Sequence, residues 1–226
     1  QSLLHHKTFN RVNQWLRDLT IKNYIGKIEN TSNTILTTPS IYHIAGNGIK
    51  YLKKQSVCQR IYIQRMYADH KRKTEFIQRS LFIADIYLSL YEKHATNKGF
   101  ELYTQSDYSV DGMIKEIFPH FVYRKRERDM LNIAEIFSDT IPRYAIRSRI
   151  ARYLTFFTNK EWTQLEKIPI LLFICPSEEL EKYIYSKVGK YMVDEDIEAT
   201  VYVTTEDQVR KKSINADIWK KVEISD

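Results

Sequence analysis

The chain is poor in the residues that break regular structure or mark specialised protein classes. Among its 226 residues there are only six Gly, five Pro and two Cys. So few Gly and Pro exclude a collagen-like or low-complexity protein. Cys58 and Cys175 lie far apart and lack the spacing of metal ligands, so we expect reduced thiols in a reducing compartment and no cysteine-based metal site.

Long apolar segments are also missing. The longest apolar run, "IPILLFIC" at residues 168–175, has the length of a strand and is too short to cross a membrane. The chain starts with Gln1 and carries no signal-peptide pattern. We therefore predict a cytoplasmic protein without a membrane partner, and we expect further residues upstream of Gln1.

Charge is present but unevenly distributed. Residues 1–80 contain 14 Lys and Arg against 4 Asp and Glu, a net charge of +10, whereas residues 81–226 contain 21 and 24, a net charge of −3. Segregated positive charge is typical of proteins that bind polyanions, because neutralising phosphates releases counterions. A basic surface without a partner is the alternative, and the segregation favours nucleic acid.

The first third has the element order of a DNA-binding module. Phe9, Val12, Leu16 and Leu19 recur at helical spacing, which predicts an amphipathic helix within residues 7–25. Two β-prone runs, at 25–29 and 41–44, flank a polar stretch, and "AGNGIKYLKK" then starts a short helix. Helix, hairpin, helix is the back half of a winged-helix domain. The alternative is a generic α/β segment with a solvated polar face.

A partial winged helix makes residue-level predictions. Its preceding helices, which would cover the apolar stripe, are expected upstream of Gln1 or from another chain. The polar face of the first helix offers Arg, Asn and Gln, whose geometry suits base edges in the major groove. We predict groove contacts by Asn10, Arg11, Gln14 and Arg17. We predict phosphate contacts by Lys7, Lys27, Lys50, Lys53 and Lys54.

The rest of the chain predicts an α/β (α+β) domain. A basic joint and a long helix beginning at Thr74 occupy residues 59–98 and separate the winged-helix part, residues 1–58, from residues 99–226. In this last part, strand-like and helix-like segments alternate after a hairpin, which indicates a mixed sheet with helices packed on it. Ser177 and a threonine at 204 or 205 are predicted helix caps.

The order of short motifs resembles the replication-relaxation family, winged-helix proteins of plasmids and integrated mobile elements. The likeness rests on "IYHIAGNGIKYL", "FIQRSLFIADIYLSL", "IAEIFSDT" followed by "RSRIARYLTFF", "ILLFIC", and "VYVTTEDQV" followed by "ADIW". It covers nearly the whole chain, and its specificity comes from the order of these degenerate motifs. The second motif departs from the family pattern, because Gln78 or Arg79 stands where the family has His.

The resemblance implies a second domain similar to a PD-(D/E)xK nuclease. Such sites need carboxylates for Mg²⁺ and a Lys near the attacking water. This chain has Pro119-His120 in place of Pro-Asp, and Glu135-Ile136-Phe137 where an acid and then a Lys are needed. We therefore expect a restriction-endonuclease-like domain that is not catalytic and takes no cofactor. The alternative is a metal-dependent nuclease or nickase with relocated ligands, centred on Glu135 with help from Asp107 and Asp111.

A second basic surface is predicted on the helix at residues 141–157. It would consist of Arg143, Arg147, Arg149 and Arg152. The alternatives are a solvated face that pairs with the acidic residues at 178–181, and a homodimer interface.

We therefore predict a sequence-specific reader of double-stranded DNA that acts in plasmid replication or transfer, or as a transcriptional regulator. An adaptor that recruits a relaxase or replication initiator is the other alternative.

Overall fold

The computed structural model describes residues 9–28, 40–55, 66–67, 71–94, 99–105, 117–125, 130–159 and 167–223. The chain divides into two compact units, Gln1–Ile77 and Gln78–Asp226, which we call unit 1 and unit 2. The boundary lies within the predicted joint at residues 59–98. Lys7, a predicted phosphate contact, lies outside the described residues, as do Asp107 and Asp111, the further ligands of the nuclease alternative.

Unit 1 contains a helix, a two-stranded hairpin and a second helix. Helix α1 spans Phe9–Ile21, strands β1 and β2 span Ile25–Ile28 and Ile41–Ile44, and α2 spans Gly46–Lys54. The strands are antiparallel, with Ile25 opposite Ile44 and Ile28 opposite Ile41. The four elements lie where hydrophobic periodicity placed them, although this order alone does not establish a winged helix.

Unit 2 is built on a mixed six-stranded sheet in the order β3-β4-β5-β6-β7-β8. Its strands are Phe100–Thr104, Phe121–Lys125, Met130–Ile136, Ile170–Cys175, Thr200–Thr205 and Lys220–Lys221. Strands β3, β4 and β5 form an antiparallel meander, β5, β6 and β7 are parallel, and β8 returns antiparallel to β7. The predicted α+β class with a mixed sheet is confirmed.

Helices cover both faces of this sheet. Helix α3 spans Thr74–His94, α4 spans Arg143–Thr158, α5 spans Glu178–Asp194 and α6 spans Glu206–Lys212. Side chains alternate along a strand, so Ile133 of β5 packs in a core with α4 and α5. Ala134 packs in the opposite core with α3 and α6. Glu135 therefore points to the α4–α5 side.

Local sequence determines where two of these helices begin. The Ser177 hydroxyl accepts a hydrogen bond from the Leu180 amide at 3.3 Å, and the Thr205 hydroxyl accepts one from the Gln208 amide at 3.3 Å. Acidic residues fill the first turn of both helices, where they interact favourably with the helix dipole. Both predicted caps are confirmed, with Thr205 as the second.

Among the described residues, no helix is both long and apolar enough to cross a membrane.

Candidate functional site

The polar side of α1 is the first candidate surface. Asn10, Arg11, Gln14 and Arg17 are all exposed. Asn10, Gln14 and Arg17 follow each other at four- and three-residue steps, so they lie on one face of the helix, with Arg11 at its border. Asp18 is also exposed, near Arg11 and Gln14 by helical spacing. The structure thus leaves the four predicted groove-contacting side chains accessible on one helix.

The turn that follows α1 is fastened to the start of α2. The Asn47 side-chain amide donates to the Lys22 carbonyl at 2.9 Å, and the Asn47 backbone amide donates to the Asn23 carbonyl at 2.9 Å. The Ala45 amide donates to the Tyr24 carbonyl, also at 2.9 Å. These bonds satisfy three successive carbonyls of the turn that follows α1. The "AGNG" segment therefore fixes the direction in which α1 leads into the hairpin.

Two glycines allow close approaches in this region. A side chain at Gly48 would clash with the Tyr24 carbonyl, and one at Gly26 would clash with the His43 ring. Gly48 is buried, so α2 lies directly against the backbone after α1. The connection among α1, the hairpin and α2 therefore depends on a residue without a Cβ atom at position 48.

Positive charge dominates the surface of unit 1. All ten Lys and Arg side chains described there are exposed, against two acidic ones, Asp18 and Glu75. The ten include Lys27 on β1 and Lys50, Lys53 and Lys54 on α2, which were the predicted phosphate contacts. Exposed cations concentrated on one small unit produce the electrostatic pattern of a polyanion-binding surface.

The apolar side of α1 is only partly covered by the described residues. Val12 and Leu16 are half-buried, whereas Leu19 keeps 39% of its surface exposed. Ile21, which is 76% exposed, lies on the opposite, polar side of the helix by its spacing from Arg17.

The second candidate site surrounds Glu135, a carboxylate that is 1% exposed in the sheet of unit 2. Tyr153 of α4 donates its hydroxyl to Glu135 Oε2 at 2.7 Å, and Arg149 of α4 binds Oε1 through its guanidinium. His120, just before β4, places Nδ1 3.1 Å from Oε2. The fold thus brings together Glu135 and His120, the two positions that stand where the nuclease pattern has its Pro-Asp and acidic residues.

The His120 ring also completes the backbone pairing at the start of β4. Its Nδ1 accepts a hydrogen bond from the Ile136 amide at 3.0 Å, while the His120 amide donates to the Ala134 carbonyl at 3.0 Å. A single Nδ1 cannot accept from Ile136 and donate to Glu135 at the same time. The bond from Ile136 needs an Nδ1 without a proton, whereas a hydrogen bond to Glu135 needs a proton on Nδ1.

The electrostatics of Glu135 favour its ionised form. Burial alone would raise the pKa of Glu135, but His120, Arg149 and the Tyr153 hydroxyl together lower it below its ordinary value. Both carboxylate oxygens are occupied by protein donors. In the described part of the chain, no three His, Cys, Asp or Glu side chains form a metal-binding group. The arrangement is that of a buried, internally neutralised ion pair.

The four predicted arginines of α4 do not form one surface. Arg143 pairs with Glu179 of α5 at 3.0 Å, which is the alternative pairing with the acidic helix. Arg147 donates to the Tyr183 hydroxyl at 3.2 Å, and Arg152 is exposed. The prediction for Arg149 is corrected. We expected its side chain on the exposed basic face, but its guanidinium turns inward to Glu135, because that buried carboxylate needs a cation.

Sequence reasoning missed the contributions of Arg149 and Tyr153 to the Glu135 cluster. The signal that could have revealed them is their four-residue spacing beside Ile146 and Ile150, which are both buried. A polar group on the apolar side of a helix requires a buried partner. Glu135, placed among apolar residues of a central strand, is the partner with the matching charge.

Comparison of the chain with protein-family models, curated proteins and solved structures gave no match.

Proposed function

We propose that this chain is a sequence-specific double-stranded DNA-binding protein. The observation that carries the proposal is that all ten described Lys and Arg side chains of unit 1 are exposed, seven of them on the helix–hairpin–helix segment. By its resemblance to the replication-relaxation family, it would serve a mobile element, in replication or transfer or as a transcriptional regulator. A relaxase or replication protein is the expected partner on that reading.

In this proposal α1 lies in the major groove. Arg11 and Arg17 suit guanine edges, while Asn10 and Gln14 suit adenine edges. Lys27 of the hairpin and the lysines of α2 hold the phosphate backbone and set the register of α1. Asp18 adds discrimination, because a carboxylate near a base edge accepts from cytosine and repels a misplaced phosphate.

The hydrogen bonds from Asn47 give this arrangement its rigidity. They tie the end of α1 to the first turn of α2, so the groove-reading and phosphate-binding side chains move as one body. Preorganised contacts lose less conformational entropy on binding than flexible ones. A two-fold DNA site would require a homodimer, which is part of the proposal.

Unit 2 is proposed to be a nuclease-like domain without catalytic function. His120 and Glu135, the positions that the nuclease resemblance singled out, lie side by side. The support for a structural role is that Arg149 and Tyr153 occupy the oxygens of Glu135 that a metal ion would need. A working nuclease needs at least one such oxygen to be accessible.

A DNA-retardation experiment tests the function. The chain, with any residues that precede it in its gene, is incubated with the DNA that flanks the gene, with Mg²⁺ or Mn²⁺ and random competitor. We expect specific retardation of intact DNA. Arg11→Ala with Gln14→Ala should lower the ratio of specific to non-specific affinity, whereas the control Lys53→Ala should lower both affinities alike.

Three outcomes would contradict parts of this proposal. Equal affinity for all sequences would reduce the protein to a non-specific binder or an adaptor. An unchanged specificity ratio in the Arg11 and Gln14 variant would remove α1 as the reader. Metal-dependent nicking that Glu135→Gln abolishes would establish the nuclease alternative.

A further inference from the structure

Three cations converge on one tyrosine at the surface of unit 2. Arg147 of α4 donates to the Tyr183 hydroxyl at 3.2 Å. The Arg143 guanidinium carbon lies 4.5 Å from the centre of the Tyr183 ring, and Lys187 Nζ lies 5.8 Å from it. We call Arg143, Arg147, Tyr183 and Lys187 the Tyr183 cluster. It differs from the predicted basic surface, because it contains neither Arg149 nor Arg152 and includes Tyr183 and Lys187 of α5.

The protein neutralises little of this charge. Arg143 pairs with Glu179, but the Glu179 side chain is 85% exposed, so water and salt screen the pair. Within the described part of the chain, Arg147 and Lys187 contact no carboxylate; their partner is the uncharged ring or hydroxyl of Tyr183.

Three arginines of unit 2 outside the cluster are bound to carboxylates. Arg124 binds Glu101, Arg149 binds Glu135, and Arg210 binds both Asp85 and Glu206. Residues 81–226 carry a net charge of −3, so acids are available in this part of the chain. The Tyr183 cluster is therefore a local concentration of positive charge in a part of the chain that is otherwise acidic.

Such a cluster is favourable when an anion binds it. Neighbouring cations repel each other, and an anion between them replaces that repulsion with attraction. The tyrosine also orients the cations, because a guanidinium that stacks on a ring keeps its N–H edges directed outward, toward planar anions such as phosphate. Arg143 is 42% exposed and can donate to such an anion while it stays on the ring.

We propose that the Tyr183 cluster is a second phosphate-contacting surface, which binds the backbone of double-stranded DNA without reading its sequence. The inference rests on the proposed function only in taking DNA as the partner. Phosphate contacts add affinity and fix orientation but carry no sequence information. The cluster would therefore strengthen binding to every duplex alike, in contrast to the polar side of α1.

The salt dependence of DNA affinity tests this surface. The affinity falls as salt rises, and each phosphate contact makes the fall of log K with log salt steeper by about 0.9. The word slope refers here to the steepness of this fall. The triple variant Arg143→Gln, Arg147→Gln, Lys187→Gln should lower that slope by roughly 2 to 3 for a random duplex, followed by fluorescence anisotropy with the full chain. The matched control is Lys93→Gln, Lys212→Gln, Lys221→Gln, which removes the same charge from exposed sites of unit 2 outside the cluster.

The expected result is a lowered slope in the cluster variant and a nearly unchanged slope in the control, with equal melting temperatures by circular dichroism. Tyr183→Phe is a second variant that keeps every charge. It removes only the hydroxyl that accepts from Arg147. The slope should therefore fall by no more than the contribution of one phosphate contact, about 0.9. Equal slopes in the cluster variant and its control would overturn the inference.

The same experiment separates this inference from the proposed function. If the wild-type chain reads a specific site and only the Arg11 and Gln14 variant loses it, with the slope of the cluster variant unchanged, the second surface is wrong and the function stands. If no specific site exists but the cluster variant still lowers the slope, the function is wrong and the surface stands. A chain that binds no duplex would overturn both.

Discussion

The two units of this chain treat charge in opposite ways. Unit 1 leaves all ten of its described cations exposed, and only three of its described residues are buried: Ala45, Gly48 and Ile49. Unit 2 has hydrophobic cores on both faces of its sheet and binds most of its described arginines to carboxylates, one of them fully buried. The first unit presents its charge to solvent, whereas the second binds much of its charge within its own structure.

This difference indicates where mutations should act. A cation that is already exposed contributes little to folding, because water solvates it in both states, so its replacement should change binding more than stability. A buried ion pair has the opposite property, because removing one partner leaves the other without compensation. Sequence-specific DNA binding should therefore respond to the exposed cations of unit 1, whereas the stability of unit 2 should respond to its buried ion pair.

The largest expected effect on stability comes from Glu135. Glu135→Gln keeps the shape of the side chain but leaves Arg149 without its carboxylate and weakens the bond from Tyr153. Breaking one side of a buried pair costs about 3 to 5 kcal/mol. We expect a loss of that order in the free energy of unfolding, measured by urea denaturation.

Glu179→Gln is the control for this prediction. It removes the carboxylate from an exposed pair with Arg143, and we expect a loss of less than about 1 kcal/mol. A similar loss in both variants would mean that burial does not distinguish the two pairs, and the contrast between buried and exposed charge would not hold within unit 2.

Acid should reproduce the effect of Glu135→Gln in the wild-type chain. Burial raises the pKa of Glu135, but His120, Arg149 and Tyr153 outweigh it, so the folded-state pKa lies below the unfolded value of about 4.5. The unfolded state therefore binds the proton more readily, and this stabilisation is present above pH 4.5 and is lost as the pH falls through the folded-state pKa.

Urea denaturation at a series of pH values from neutral to acid measures this loss. Glu135→Gln has no carboxyl group at this position and should show a smaller decline in stability below pH 4.5 than the wild-type chain. Parallel curves for the two proteins would assign the acid sensitivity to other carboxylates.

The elements of the fold were more predictable from sequence than the site. Periodicity and capping residues located the helices and strands, because these signals are local. The Ser177 hydroxyl, for example, accepts from the amide of Leu180, which is only three residues further along the chain. The Glu135 cluster joins residues from three separate segments, and its pairing depends on which way a helix faces. The sequence placed Arg149 in a row of exposed arginines, since charge alone does not reveal an inward orientation.

Unit 1 shows the same limit at a smaller scale. The glycines and Asn47 of "AGNG" predicted a turn before α2, but not the bonds to Lys22 and Asn23 or the contact of Gly48 with Tyr24. Those contacts span about twenty-five residues of sequence, as the separation of Asn47 from Lys22 shows. They depend on tertiary packing, which propensity and periodicity do not encode.

Gly48→Ala should affect unit 1 and leave unit 2 unchanged. The new Cβ would meet the Tyr24 carbonyl, which is backbone and cannot rotate away, and overpacking of this kind costs about 1 to 3 kcal/mol. We expect faster amide hydrogen exchange in α1, β1 and α2, and weaker DNA retardation, while exchange in β5 and β6 stays the same.

Gly46→Ala is the matched control, because a Cβ at Gly46 meets only the Asn23 side chain at an ordinary distance of 3.6 Å. If both glycine variants bind DNA alike, the close approach at Gly48 does not set the geometry of the reading surface.

The smallest expected effect is the loss of a helix cap in unit 2. Ser177→Ala removes the hydroxyl that accepts from Leu180, and such changes cost about 1 kcal/mol. Ser177→Asp should retain most of the stability, since a carboxylate can accept the same bond and interacts well with the helix dipole, although Glu178, Glu179 and Glu181 already crowd that turn. Thermal melting distinguishes the two variants. Because this change alters no cation of unit 1 or of the Tyr183 cluster, DNA affinity should match the wild-type value in both variants, and a loss of affinity here would mean that the cap of α5 supports the Tyr183 cluster on the same helix.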